Sequence, residues 1–270
     1  METKTKCIDK LILSPGITAV IGSGGKTTLL KKISEELPGT VLLTTSTHIL
    51  PFEGVPLYTG SDLREIREHL CQDHILCTGT PISSAALKEA SFADRPMRIT
   101  GAYACDRNKL SAPGFTMKDL AGAADYVLVE ADGSRHLPLK AHARHEPVIP
   151  EETGQILWVI GSAGFFHPAK EVMHRPELFC KKMQLSEEQA VTPELYGAFL
   201  LQEIAVLPGF RLLRSGSGSR FPQLTFLLNQ HEDPDRIQNL QTFSAVLANA
   251  SLSCNIFAAD FTGGFPILCS

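Results

Sequence analysis

The sequence predicts an α/β fold: a mostly parallel sheet with helices on both faces, giving three layers. Three observations predict it. Short apolar runs alternate with segments of helical periodicity, several of the runs are continuous and β-branched, and glycine or polar turns separate them. Residues 17–21 (ITAVI) form the first strand and stop at a glycine. Residues 29–37 follow with helical spacing. Residues 41–43 make a second strand that runs into the polar segment 44–47. Leu63, Ile66 and Leu70 recur at helical intervals, with Ser61 positioned to cap that helix. Residues 74–77, 126–129, 156–160 and 224–228 read as further strands. Asp233 and Pro234 open a late helix whose apolar face is Ile237, Leu240, Phe243 and Leu247, and 255–259 reads as the last strand.

Two stretches break the rhythm. Residues 95–113 read as a hairpin around Asp106, Arg107 and Asn108. Residues 162–193 have little apolar periodicity and read as an irregular insertion, a lid or small subdomain, in a single domain covering 1–270. A chain of 270 residues suits that arrangement. With 43% hydrophobic and 20% charged residues, global disorder, collagen and coiled coil are excluded. Lysine and arginine number 25 against 29 acids, a net charge of −4, which argues against a nucleic-acid partner. No apolar run approaches the ~18 residues of a membrane span, and the first residues lack the pattern of a secretory signal. Seven scattered cysteines without a C-x-x-C pair fit reduced thiols in the cytoplasm, with Cys105 the first candidate for a reactive one.

The motif that carries chemistry is Gly22-Ser23-Gly24-Gly25-Lys26-Thr27-Thr28, set between a strand and a helix. Glycines let the backbone curl so that its N–H groups point inward at phosphate oxygens, and the helix N-terminus adds positive potential. Lys26 reaches β- and γ-phosphates, and Thr27 offers its hydroxyl to Mg²⁺. The pattern is that of a P-loop NTPase, in a shortened form: the glycine expected six positions before the lysine is Val20.

Such a loop needs an acid for its metal. The strand at 126–129 ends in Glu130 and Asp132, two carboxylates at the tip of an apolar strand; either can serve Mg²⁺. Thr47 and His48, at the end of the second strand, are candidates for substrate contact. Arg135, Lys140 and Arg144 lie in a segment crowded with cations and histidines, and are candidates for a phosphate or other anion. The histidines there lack the spacing of a zinc site. Asn229 and Gln230 follow the strand at 224–228, where GTPases carry a base-reading N-K-x-D; here Gln230 replaces the lysine and Glu232 the aspartate, which leaves ATP and GTP both open.

The segments 22–28 (GSGGKTT), 43–49 (LTTSTHI) and 129–150 (VEADGSRHLPLKAHARHEPVIP) resemble the YqeC family, over roughly 17–261. The resemblance covers Gly22, Gly24, Gly25, Lys26 and Thr27 in the loop, Glu130, Asp132 and Gly133 after the strand, and Asn229. It implies a role in maturing selenium-dependent molybdenum hydroxylases, with a hydroxylase client or a selenium carrier as partner. The expected function is Mg²⁺-dependent binding and hydrolysis of ATP or GTP, with Lys26, Glu130 and Asp132 as its catalytic residues. The alternatives are a small-molecule kinase or Mur-like ligase, and a non-catalytic nucleotide switch or metallochaperone.

Overall fold

A strand buried on both faces needs a continuous apolar run, and β1 (Gly16–Gly22) has one: every residue from Ile17 to Gly22 is buried. The computed structural model describes residues 11, 13–82, 109–215, 221–229, 235–250, 252–261 and 268–269. Its central sheet has nine strands: β1, β2 (Val41–Thr45), β3 (Leu57–Tyr58), β4 (Ile75–Thr78), β5 (Tyr126–Glu130), β6 (Thr153–Gly161), β7 (Gln223–Asn229), β8 (Asn255–Ala259) and β9 (Leu268–Cys269). Their spatial order is β9-β8-β7-β6-β1-β5-β2-β4-β3. Neighbours run parallel throughout, except for the antiparallel pair β8–β9.

The helices are α1 (Lys26–Glu36), α2 (Leu63–Asp73), α3 (Met117–Ala121), α4 (Ala169–Val172), α5 (Pro176–Met183), α6 (Pro193–Val206), α7 (Arg211–Ser215) and α8 (Arg236–Asn249). Alternate residues of β1 serve opposite faces, as a period of two requires. Val20 packs in one core with Leu29, Leu30 and Ile33 of α1. On the other face Ala19 and Ile21 join Phe199 of α6 and Phe243 of α8, while Ile17 joins Ile66 and Leu70 of α2. The α/β, mostly parallel, three-layer architecture expected from the sequence is the one observed.

Several details differ from the sequence reading. The N-cap of α2 is Asp62, whose carboxylate accepts the Arg64 N–H at 2.8 Å, and not Ser61. Ile237 is 54% exposed, so the buried face of α8 is Leu240, Phe243 and Leu247 without it. The helix α6 carries no amphipathic pattern because it is buried on most sides, and its apolar sequence gives no period to detect. Within 162–193, Phe165, Ala169, Val172, Phe179 and Val191 are buried in the same core as Ile21 and Trp158. Asp233, Pro234, Cys105 and most of the expected hairpin at 95–113 lie outside the described residues, although Leu110–Ser111 does pair antiparallel with His48–Ile49 and with Thr80–Pro81.

Among the described residues no single helix is long and apolar enough to cross a membrane. The bent pair formed by Pro193–Val206 and Pro208–Arg214 passes by composition only, and it turns through 84°.

Topology fixes where chemistry can occur. From β1 the chain lays β2 to β5 on one side and then crosses to β6 on the other, so strand order reverses at β1. In open parallel sheets, ligands bind beyond the carboxyl ends of the strands at such a reversal. The segments that end β1, β5, β6 and β7 therefore meet at one edge.

Candidate functional site

Register sets the levels of the site residues. Val20 and Thr45 both stand opposite Glu130, Gly22 stands opposite Val159, and Gly161 stands opposite Asn229. The glycine loop thus leaves β1 just above the Glu130 carboxylate. Three loop glycines have left-handed φ values, +89° at Gly22, +88° at Gly24 and +122° at Gly25. A Cβ on Gly24 would sit 2.5 Å from the Gly161 Cα, and one on Gly22 would sit 2.2 Å from the Val159 carbonyl oxygen. Glycine is required there by both backbone conformation and space.

The loop is held from several sides. The buried Ser23 donates its N–H to the Val159 carbonyl at 2.9 Å and its hydroxyl to the Pro138 carbonyl at 2.9 Å. Asn229 donates Nδ2–H to the Gly24 carbonyl at 2.7 Å, while its Oδ1 accepts the Phe261 N–H at 3.1 Å. Its side chain is thereby engaged as a brace. Gln230 lies outside the described residues. Helix α1 starts at Lys26 with Gly25 as N-cap, and no side chain caps it. The first-turn amides of Lys26, Thr27 and Thr28 are consequently available to an acceptor, beside the exposed Thr27 and Thr28 side chains.

Lys26 is buried and folds back over the loop. Its Nζ donates to the Gly22 carbonyl at 2.6 Å and to the Ser134 hydroxyl at 3.3 Å. It pairs with Asp132 Oδ1 at 3.1 Å and lies 3.9 Å from Glu130 Oε1. The two carboxylates differ sharply. Asp132 is fully buried; its Oδ2 accepts the Gly22 N–H at 2.8 Å and lies 2.9 Å from His142 Nε2 and 3.2 Å from Lys140 Nζ. Burial pushes its carboxyl up, but Lys26, Lys140 and His142 outweigh that and hold it well below the usual carboxylate range. Glu130 is pushed up to about 7, chiefly by burial, against the pull of Lys26. The Thr27 hydroxyl lies close enough to Glu130 to favour its ionised form, while the buried Glu130 Oε2 has no hydrogen-bond partner.

Behind Asp132 lies a charge network that sequence reasoning did not assemble. His142 is buried against the stacked rings of Trp158 and Phe210, edge-on to each at 5.3 Å. Its Nδ1–H donates to Glu203 Oε2 at 2.7 Å, and its backbone N–H donates to Glu203 Oε1 at 2.7 Å. Burial pushes the imidazole down, but Glu203 and Asp132 outweigh it and raise its affinity for a proton. Lys140, fully buried where Leu139–Lys140 pairs with Met173–His174, also bonds the Gly133 carbonyl and Glu146 Oε2, the latter at 2.9 Å. Arg175 reaches the same Glu146 oxygen at 2.6 Å. His174 is pushed down to about 4 by burial and by the nearby Arg175, Lys140 and Arg135.

Of the residues selected from sequence, Gly22, Ser23, Gly24, Gly25, Lys26, Thr27, Glu130, Asp132, Lys140 and Asn229 come together here. Arg135 and Arg144 are exposed, Arg135 with a left-handed φ of +50°. The hydroxyls of Thr44 and Thr45 are taken by the carbonyls of Thr78 and Glu130. Thr47 is half-buried and donates its N–H to Thr45 Oγ1, and His48 is exposed on its own small sheet. Among the described residues no hydrogen bond or ion pair joins Thr47, His48 or Arg144 to the loop. His142, Glu146 and Glu203 were missed, and Arg175, which the sequence places with His167 and His174 in a basic cluster of the irregular region, pairs instead with Glu146. One signal was present for Glu203: it is a carboxylate near the C-terminus of a largely apolar helix, where the helix dipole disfavours it.

The family described as YqeC protein matches residues 18–177. A relative from Escherichia coli (strain K12), described as "Uncharacterized protein YqeC", is 30% identical over 205 residues, covering 68% of this chain and 70% of its own length. No solved structure matches the chain. With the glycine loop and the E-A-D-G-S segment inside the matched residues, the chain belongs to the YqeC family.

Proposed function

We propose that this protein binds ATP or GTP with Mg²⁺ at Gly22–Thr28 and hydrolyses it. The observation that carries the reading is the pairing of an uncapped helix N-terminus with a split pair of acids: Glu130 against the Thr27 hydroxyl, and Asp132 against Lys26. The donor set fits the metal: Mg²⁺ takes hard oxygen ligands, and a hydroxyl beside a carboxylate with one unpartnered oxygen supplies two. Bound there, Mg²⁺ neutralises charge on the transferred phosphoryl group. Thr27 and Glu130 hold the metal. Lys26 and the open amides of α1 hold the β- and γ-phosphates. Asp132, whose Oδ2 is taken by the Gly22 N–H, His142 and Lys140 and whose Oδ1 pairs with Lys26 at 3.1 Å, orients Lys26.

The biological setting rests on the family resemblance: turnover drives delivery of a selenium species, or of a modified molybdenum cofactor, to a client hydroxylase. A second reading, phosphoryl transfer to an anionic acceptor, is favoured by one observation. Arg135 follows Ser134, whose hydroxyl accepts from Lys26, so an acceptor held by Arg135 lies beside the phosphates. A thermal-shift panel of ATP, GTP, their diphosphates and molybdopterin nucleotides, each with and without Mg²⁺, tests binding directly, because a ligand of the native state raises the midpoint. The expected result is a Mg²⁺-dependent rise with a nucleoside triphosphate; no rise with any nucleotide overturns the reading. Phosphate release by the pure protein separates hydrolysis from transfer, which requires the acceptor.

A further inference from the structure

Gly22, Lys26, Asp132, His142 and Glu203 form one continuous buried chain of polar contacts. It begins at the first glycine of the loop and ends on α6, and His142 and Glu203 sit 61 residues apart in sequence. Stability alone does not account for it. A histidine held between two buried carboxylates carries a desolvation cost, and buried ion pairs are often replaced by apolar groups without loss of stability. Glu203 also sits in the last turn of α6, at the end of the helix where the dipole disfavours a carboxylate and where Arg214 already serves the Ile204 and Leu207 carbonyls. What the chain does fix is orientation. The backbone N–H of His142 donates to Glu203 Oε1 and its Nδ1 lies 2.7 Å from Glu203 Oε2, which leaves Nε2 facing Asp132 Oδ2 at 2.9 Å. With Oδ2 anchored by His142, Lys140 and the Gly22 N–H, Oδ1 turns toward Lys26. The rings of Trp158 and Phe210 prevent the imidazole from swinging away.

We propose that His142 and Glu203 are positioning residues of the phosphate loop: Glu203 fixes the imidazole, the imidazole fixes Asp132, and Asp132 fixes the Gly22 amide and the Lys26 ammonium. The affinity part of this inference rests on the nucleotide reading above; the geometric part does not. The test uses full-length ¹⁵N-labelled protein with Glu203→Gln, His142→Gln and the double variant. Two readouts are taken at temperatures where each is fully folded: the Gly22 amide resonance with its hydrogen exchange, and calorimetric affinity for Mg-ATP and Mg-GTP. Both single variants shift the Gly22 resonance and speed its exchange. Affinity falls about ten-fold, the order produced when the outer partner of a site-forming side chain is lost. The double variant is no weaker than His142→Gln alone, because the two residues act in series. An unmoved Gly22 resonance in both single variants overturns the proposal, as does unchanged affinity in both when the wild type binds. A wild type that binds neither nucleotide overturns the nucleotide reading instead, and the Gly22 resonance still decides this one.

Discussion

The Asp132 carboxylate accepts the backbone N–H of Gly22 at 2.8 Å, joining the residue just beyond β5 to the first glycine of the loop on β1. Two residues earlier, Glu130 faces the first turn of α1 through Thr27. The end of β5 thus presents two acids, one beneath the glycine loop and one beside the first turn of α1. Their burial is similar but their partners are not, which makes them separable by substitution.

Asp132→Asn leaves Lys26, Lys140 and His142 facing an amide in a dry interior. Removing one partner of a buried charge network costs about 3–5 kcal/mol, so chemical denaturation is expected to show a large loss of stability. Glu130→Gln is expected to preserve or raise stability while abolishing Mg²⁺-dependent turnover. Equal stability loss in the two variants contradicts the division of roles.

The pH dependence follows from Glu130. Its folded-state pKa, about 7, lies above its ordinary value of 4.5. The folded protein then holds a proton that the unfolded chain releases, so stability is lost as pH rises between these values. The full loss is about 3 kcal/mol. The expected measurement is a stability gap between Glu130→Gln and wild type that is near zero at pH 4.5, widens through pH 7 and is then constant, in metal-free buffer. Asp132, shifted the other way, contributes stability over that whole range. A gap that does not change with pH contradicts the assignment.

Gly24→Ala introduces a methyl group 2.5 Å from the Gly161 Cα at a φ of +88°. Strain of this kind costs about 1–3 kcal/mol, and nucleotide binding is expected to be lost with it. Gly133→Ala, where a Cβ meets nothing within 4 Å, is expected to melt like wild type. The pair of melting curves checks the claim that backbone shape, and not glycine content, makes the loop.

Asn229→Ala removes a brace between the Gly24 carbonyl and the Phe261 N–H. Affinity for ATP and for GTP is expected to fall by the same factor, measured by competition. A fall confined to one of them places Asn229 on the base.

Much of this was legible in the chain. Continuous apolar runs marked the strands β1, β2, β4, β5, β6, β7 and β8 to within a few residues, because parallel central strands are buried on both faces. The glycine loop and its acids were legible because strand ends carry chemistry at short, fixed spacings. Lys140 was misleading. It sits in a run of cations that reads as a surface for anions, yet its two-residue strand pairs with Met173–His174 and turns the ammonium inward to Asp132 and Glu146. Glu203 was invisible for a related reason, and so was the Glu146 partner of Arg175: the pairs meet across 61 and 29 residues respectively, and tertiary structure alone creates those contacts. The helix carrying Glu203 had no period to read, since most of its sides are buried.

The central claim is that Lys26 and the amides of α1 form a phosphate site. Titration calorimetry of Mg-ATP and Mg-GTP into wild type and Lys26→Ala, with circular dichroism to confirm folding of the variant, tests it most directly. The account predicts saturable one-site binding of at least one triphosphate to wild type and its loss in Lys26→Ala. Equal affinity in the two proteins, or no binding to wild type, contradicts it.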